Sequence, residues 1–211
     1  GLTELRLNSY LQAETFLGKA LQLAPNLTMA RRGLVLTHAR QGRFDKAMAT
    51  LAPGLEKNDR DSVMLTLAGQ IYLLQGDTER AQSYFKKASG LDPQDPVKRT
   101  SLAVSRLMSG QTEAALDELH DIATSDDGVV ADMALVNALL QKRDVTRALE
   151  AIAALEKKRP ADIRAPFLRG RALLLKDDAA GARKAMERVL EIDPNYFPAV
   201  EILAQLDNAE K

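Results

Sequence analysis

In this chain of 211 residues, the side chains able to move protons or hold a metal are few. The two histidines, His38 and His120, lie two units apart in sequence and share no acidic neighbours at ligand spacing. The expectation for both is a structural role. Two carboxylate pairs, Asp126-Asp127 and Asp177-Asp178, fall where the chain turns, and Asp there caps the following helix. General acid–base work would require a pocket and a partner group that the sequence does not supply. Lys157-Lys158-Arg159 reads as a solvated helix end, where cations complement the helix dipole. The absence of cysteine removes disulfides, thiolate zinc sites and a Cys nucleophile. No glycine-rich phosphate loop, Ser-His-Asp order or nucleophile elbow occurs. The reading is a non-enzymatic chain with no catalytic residue, no cofactor and no metal.

The elements around these residues follow from composition and periodicity. Twenty-nine basic residues balance 29 acidic ones, so the chain lacks the basic excess of a nucleic-acid binder. No apolar run approaches the ~20 residues of a membrane span. An apolar content of 45% is that of a folded chain.

A repeat dominates the sequence. Short segments join a turn residue to an alanine five positions on: Asn8 to Ala13, Gly42 to Ala47, Gly76 to Ala81, Gly110 to Ala115, Arg143 to Ala148 and Asp177 to Ala182. Successive alanines stand 34, 34, 34, 33 and 34 residues apart. Four positions after each alanine comes a large apolar residue: Leu17, Leu51, Phe85, Leu119, Ile152 and Met186. Proline follows later in four of the units, at Pro25, Pro93, Pro160 and Pro194. Apolar residues at i, i+3, i+4 and i+7 make each unit a pair of amphipathic helices. The glycine reaches the positive φ that stops the first helix. The alanine lets the two helices cross closely.

These positions resemble the tetratricopeptide repeat. The segment Ser62 to Asp95 fits best, with Leu65, Ala68, Gly69, Tyr72, Gly76, Ala81, Phe85, Ala88 and Pro93 in register. The resemblance implies an all-α, right-handed superhelical solenoid of antiparallel helix pairs. It divides the chain, read as a single array, into repeats over 1–27, 28–61, 62–95, 96–128, 129–162 and 163–196, with an extra helix over 197–211.

Several units depart from the pattern. Arg143 replaces the turn glycine, and the preceding unit is one residue short near Asp126-Asp127-Gly128. Pro53-Gly54 falls inside a helix, which predicts a kink or an early end at Leu51 to Pro53. The chain starts at Gly1, part-way into a first helix, and its last helix is apolar on more than one face. Both features predict a longer array continuing in each direction.

The resemblance also implies that the first helix of each unit lines a concave face. The inward residues are then Met29, Arg32, Leu36 and Arg40 in the second unit, and Val63, Thr66, Gln70, Leu73 and Leu74 in the third. They continue as Val97, Thr100, Val104, Leu107 and Met108, then Val130, Met133, Asn137, Leu140 and Gln141. The sixth unit adds Arg164, Phe167, Arg171, Leu174 and Leu175. This lane suits a partner helix or an extended peptide, with Arg32, Arg164 and Arg171 offered to its carboxylates. The leucines near the helix ends fit equally well as packing between units. Chaperone-binding members of the family hold a C-terminal carboxylate with Lys and Asn; Asn137 alone matches, so that activity is not carried over.

Three segments resemble a narrower family: RTSLAVSRLMSGQTEAALDEL from Arg99, ALEAIAALEKKRP from Ala148, and AMERVLEIDPNYFPAVEILAQL from Ala185. They are similar to the long TPR-repeat lipoproteins encoded with bacterial exosortase/PEP-CTERM systems. That resemblance implies a protein partner, a scaffold role in envelope protein sorting or exopolysaccharide production, and a periplasmic or outer-membrane-anchored location; a cytoplasmic one stays open. The alternatives are a glycan-contacting module, a regulatory array beside a catalytic domain, and a spacer. Only Phe167 and Tyr72 favour the glycan, through sugar stacking.

Overall fold

The computed structural model describes residues 9–209, and within them all regular structure is helical. The expected turn residue Asn8, the start at Gly1 and the end of the last helix at Lys211 lie outside the described residues. The chain divides into two compact units, Gly1–Thr112 and Glu113–Lys211.

The first unit contains α1 (Tyr10–Leu23), α2 (Thr28–Arg40), α3 (Phe44–Lys57), α4 (Ser62–Leu74), α5 (Thr78–Leu91) and α6 (Pro96–Met108). The second contains α7 (Thr112–Ser125), α8 (Val130–Gln141), α9 (Val145–Lys158), α10 (Arg164–Leu174), α11 (Ala179–Ile192) and α12 (Phe197–Ala209). Antiparallel pairs α2/α3, α4/α5, α8/α9 and α10/α11 are the expected hairpins.

The periodic alanines are the points of closest approach. Ala13, Ala47, Ala81, Ala115, Ala148 and Ala182 are all fully buried, and so are the large residues one turn on. Core clusters overlap along the first unit. Ala13 and Leu17 pack on Ala30 and Leu34, Leu51 on Met64 and Ala68, and Phe85 on Leu102. In the second unit Met186 and Val189 close on Ala199.

Five helix ends share one geometry. Gly42, Gly76, Gly110, Arg143 and Asp177 all adopt positive φ, between 57° and 89°. At each, the next N–H donates five residues back, as Asp77 N does to Tyr72 O at 2.9 Å and Asp144 N to Leu139 O at 2.9 Å. This closes the last turn of the first helix. Arg143 and Asp177 hold it without being glycine. Five aspartates then cap helices through their side chains: Asp61, Asp77, Asp95, Asp144 and Asp178.

Two expectations are corrected. Helix α3 runs through Pro53 to Lys57 without an early end. Pro53 is exposed, and Arg31 from α2 lays its stem across Gly54 and donates to Thr50 O at 2.8 Å. The Arg31 bond ties this turn of α3 to α2, while the carbonyl that Pro53 leaves without its helical donor is Ala49 O. Asp126 does not cap α8. Its carboxylate accepts from Gly128 N at 3.0 Å and shapes the loop, and α8 starts at Val130 behind Val129, which gives no side-chain cap.

Candidate functional site

Helices α8, α10 and α12 each turn one face to a shared open groove of about 780 Å³. From α8 come Asn137, Leu140 and Gln141; from α10, Phe167, Arg171, Leu174 and Leu175; from α12, Pro198, Glu201, Ile202 and Gln205. These spacings of three and four keep each set on one helix face. Phe167 is fixed edge-on against Tyr196, with centroids 5.3 Å apart. The Arg171 side chain is exposed and makes no hydrogen bond or ion pair with any described residue. The floor is thus apolar, and amides, one guanidinium and one carboxylate stand over it.

The other two arginines expected to meet a partner's carboxylates, Arg32 and Arg164, are engaged. Arg32 donates to both Asp61 oxygens, at 2.7 and 2.9 Å, so it ties α2 to the cap of α4. Arg164 forks onto Asp162, with Nε at 2.9 and 3.0 Å from its two oxygens. The Arg164 guanidinium holds the Asp162 carboxyl below the usual carboxylate range. Neither is available to a partner's carboxylate without breaking an internal pair.

The rest of the lane is mixed. Thr100 is 3% exposed and its hydroxyl is unpartnered, so it is a packing residue and offers no outer contact. Leu36 and Leu73 are half-buried against the core clusters. The Thr66 hydroxyl donates to Ser62 O at 2.8 Å. Gln70 is exposed on α4, Val104 is half-buried on α6, and Met133 is half-buried on α8 outside the groove lining. Of the expected inward residues, the groove gathers Asn137, Leu140, Gln141, Phe167, Arg171, Leu174 and Leu175. Tyr72 is stacked on Tyr84 at 5.5 Å.

Three tetratricopeptide-repeat family profiles match residues 5–71, 63–95 and 133–197. The chain is a tetratricopeptide-repeat protein. This TPR chain is 33% identical over 84 residues to the BBSome complex member BBS4 of Bos taurus, covering 40% of the chain and 16% of that protein. It therefore spans less than a fifth of that relative's length. Its fold is similar to a tetratricopeptide repeat protein from Parabacteroides merdae, with TM-score 0.75 and 15% identity, covering 96% and 80% of the two chains. It is also similar to YrrB, described as a TPR protein with an unusual peptide-binding site, with TM-score 0.55 and 17% identity, covering 88% and 96%.

Two polar clusters in this TPR chain escaped the sequence reading. Lys158 does not end in solvent. Its ammonium donates to Asp132 Oδ2 at 2.8 Å, Asp126 O at 2.9 Å, Gly128 O at 3.2 Å and Ala123 O at 2.5 Å. Arg159 donates to Asp127 O at 2.8 Å. The basic run thus holds the shortened α7–α8 loop, and Asp132 is only 3% exposed. The second cluster gives His38 an acidic neighbour, Glu14 of α1. Arg43 bonds Glu14 and holds its carboxyl below the ordinary range. Burial, aided by Arg43 and Lys46, pulls His38 down against the opposing pull of Glu14. Among the described residues no helix is long and apolar enough to cross a membrane, and no three His, Asp or Glu are grouped to hold a metal ion.

Proposed function

We propose that this protein is a non-catalytic interaction module that takes an extended peptide segment of a partner protein in the α8–α10–α12 groove. One observation carries this: Arg171 is exposed and unpaired over an apolar floor, while Arg32 and Arg164 are consumed internally. An unpaired guanidinium favours an acidic side chain or a terminal carboxylate. Asn137, Gln141 and Gln205 each carry a donor and an acceptor, the pair a peptide backbone presents. Phe167 and Leu174 would receive an apolar side chain beside the acid. The peptide-binding site named for YrrB is in keeping with this reading.

The setting follows from the sequence resemblance to exosortase/PEP-CTERM lipoproteins. We place the module as a scaffold in bacterial envelope protein sorting or exopolysaccharide production, in the periplasm or anchored to the outer membrane.

The test is a random-peptide display selection on the full chain and on its Arg171→Ala and Arg164→Ala variants. Acidic peptides retained by the unchanged chain and by Arg164→Ala, but lost with Arg171→Ala, are expected. Identical pools on all three would overturn the groove assignment. Binding of an oligosaccharide in a parallel glycan array, sensitive to Phe167→Ala, would put the glycan reading in its place.

A further inference from the structure

A second concavity lies on the other side of α8. Asn137 faces the groove, and Leu139, two residues on and so about half a turn round the helix, faces a cleft of about 610 Å³ between α7 and α9. Leu135 and Leu139 form its floor, and Ala123, Ala151 and Ala154 line its walls.

The repeat supplies its own reference for this site. A shift of 67 residues superposes Gly76, Ala81 and Phe85 on Arg143, Ala148 and Ile152. The same shift carries Leu65, Tyr84, Lys87 and Leu91, which line a cavity of about 370 Å³ in the first unit, onto Asp132, Ala151, Ala154 and Lys158. All four of these line the larger cleft. The place held by the Tyr84 ring is therefore occupied by a methyl group at Ala151. Tyr72, on which Tyr84 stacks at 5.5 Å, corresponds to Leu139, whose side chain is buried beneath the cleft. Lys87 sits 5.6 Å from the Tyr84 ring centre. Lys157, exposed at the cleft mouth and without a bonded partner among the described residues, can supply a cation in a similar role.

We propose that this cleft is a second docking site, distinct from the peptide groove, and that it receives a tyrosine or phenylalanine side chain of a partner polypeptide. The ring takes the place that Tyr84 fills from within in the first unit. It lies over Leu139 and between Ala151 and Ala123. Burying an aromatic ring there recovers contact that small side chains leave unmade.

The test uses p-cresol, which is the tyrosine side chain alone, and N-acetyl-tyrosinamide, which carries the ring on a peptide backbone. Each is titrated into the isotopically labelled full chain and followed by amide chemical shifts. Saturable shifts in α7, α8 and α9 are expected with both. Ala151→Tyr, which restores the internal ring, should weaken both by at least about tenfold while its circular dichroism stays that of the unchanged chain. Ala123→Leu serves as a second filled variant if Ala151→Tyr fails to fold; the 68-residue shift that carries Ala47 and Leu51 onto Ala115 and Leu119 makes Ala123 the counterpart of Leu55. No saturable shifts, or shifts unaltered in a folded filled variant, would overturn the site. Binding of p-cresol without N-acetyl-tyrosinamide would overturn a polypeptide as the source of the ring.

Discussion

The imidazole Nδ1 of His38 lies 4.0 Å from Glu14 Oε1, beyond hydrogen-bond reach, and is buried without a partner. Burial holds the folded imidazole below its ordinary pKa, with Arg43 and Lys46 acting the same way and Glu14 opposing. Unfolded histidine titrates near 6.5. Stability is therefore full above that value and falls as pH drops through it, because the unfolded chain binds the proton first. Urea midpoints between about pH 7.5 and 5.5 should decline in the unchanged chain and flatten in His38→Gln. Glu14 titrates below this window, held down by its bond to Arg43. Parallel declines in both proteins would mean that another group carries the dependence.

The pair Lys158 and Asp132 should respond unequally to truncation. Lys158→Ala leaves a carboxylate that is 3% exposed without its counter-ion, a loss of about 3–5 kcal/mol. Asp132→Ala leaves the ammonium three carbonyl acceptors and should cost less. Denaturant titration of the two variants checks the order.

Gly69 and Gly170 occupy the same place in their repeats but meet different neighbours. A Cβ on Gly69 would lie 2.6 Å from the Phe85 ring, which is rigid and buried. Gly69→Ala should destabilise by about 1–3 kcal/mol. At Gly170 the obstacle is the Met186 methyl, the far end of a flexible side chain. Gly170→Ala should therefore lose less. Thermal melts of the two variants decide it.

At the left-handed turn positions the signs reverse. Arg143 sits at φ 57° and Asp177 at φ 59°, where glycine has no steric penalty. Arg143→Gly should raise stability by up to about 1 kcal/mol. Asp177→Gly should gain less, since Asp tolerates this region better than Arg. A lower melting temperature for Arg143→Gly would show that the Arg143 side chain contributes contacts that outweigh its backbone strain.

The hairpins were legible because their signals are local. Ala81 and Gly76 must be small or left-handed wherever this pair of helices closes, so their types recur with the period. The engaged arginines were not legible. Arg32 finds Asp61 29 residues on, and Arg43 finds Glu14 29 residues back. Such contacts join successive repeats, and either member is an ordinary surface residue in its own helix. Lys158 misled for a related reason. At a helix end it looks solvated, and only the fold brings the Ala123 carbonyl of α7 and two carbonyls of the short loop after it onto the ammonium. Pro53 misled because its turn is tied to α2 by Arg31, a contact that no pattern within α3 shows. In the groove, the exposure of Arg171 followed from helix periodicity, and its freedom from partners did not.

Buried amines are poor nucleophiles toward reagents arriving from solvent. Lys157 and Lys158 are chain neighbours, yet Lys157 is exposed while Lys158 has every ammonium hydrogen taken up. An acylating reagent should mark Lys157 quickly and Lys158 only when the α7–α8 loop lets go. Two adjacent lysines thus make a ratiometric gauge, already present in the chain, of how often that loop opens.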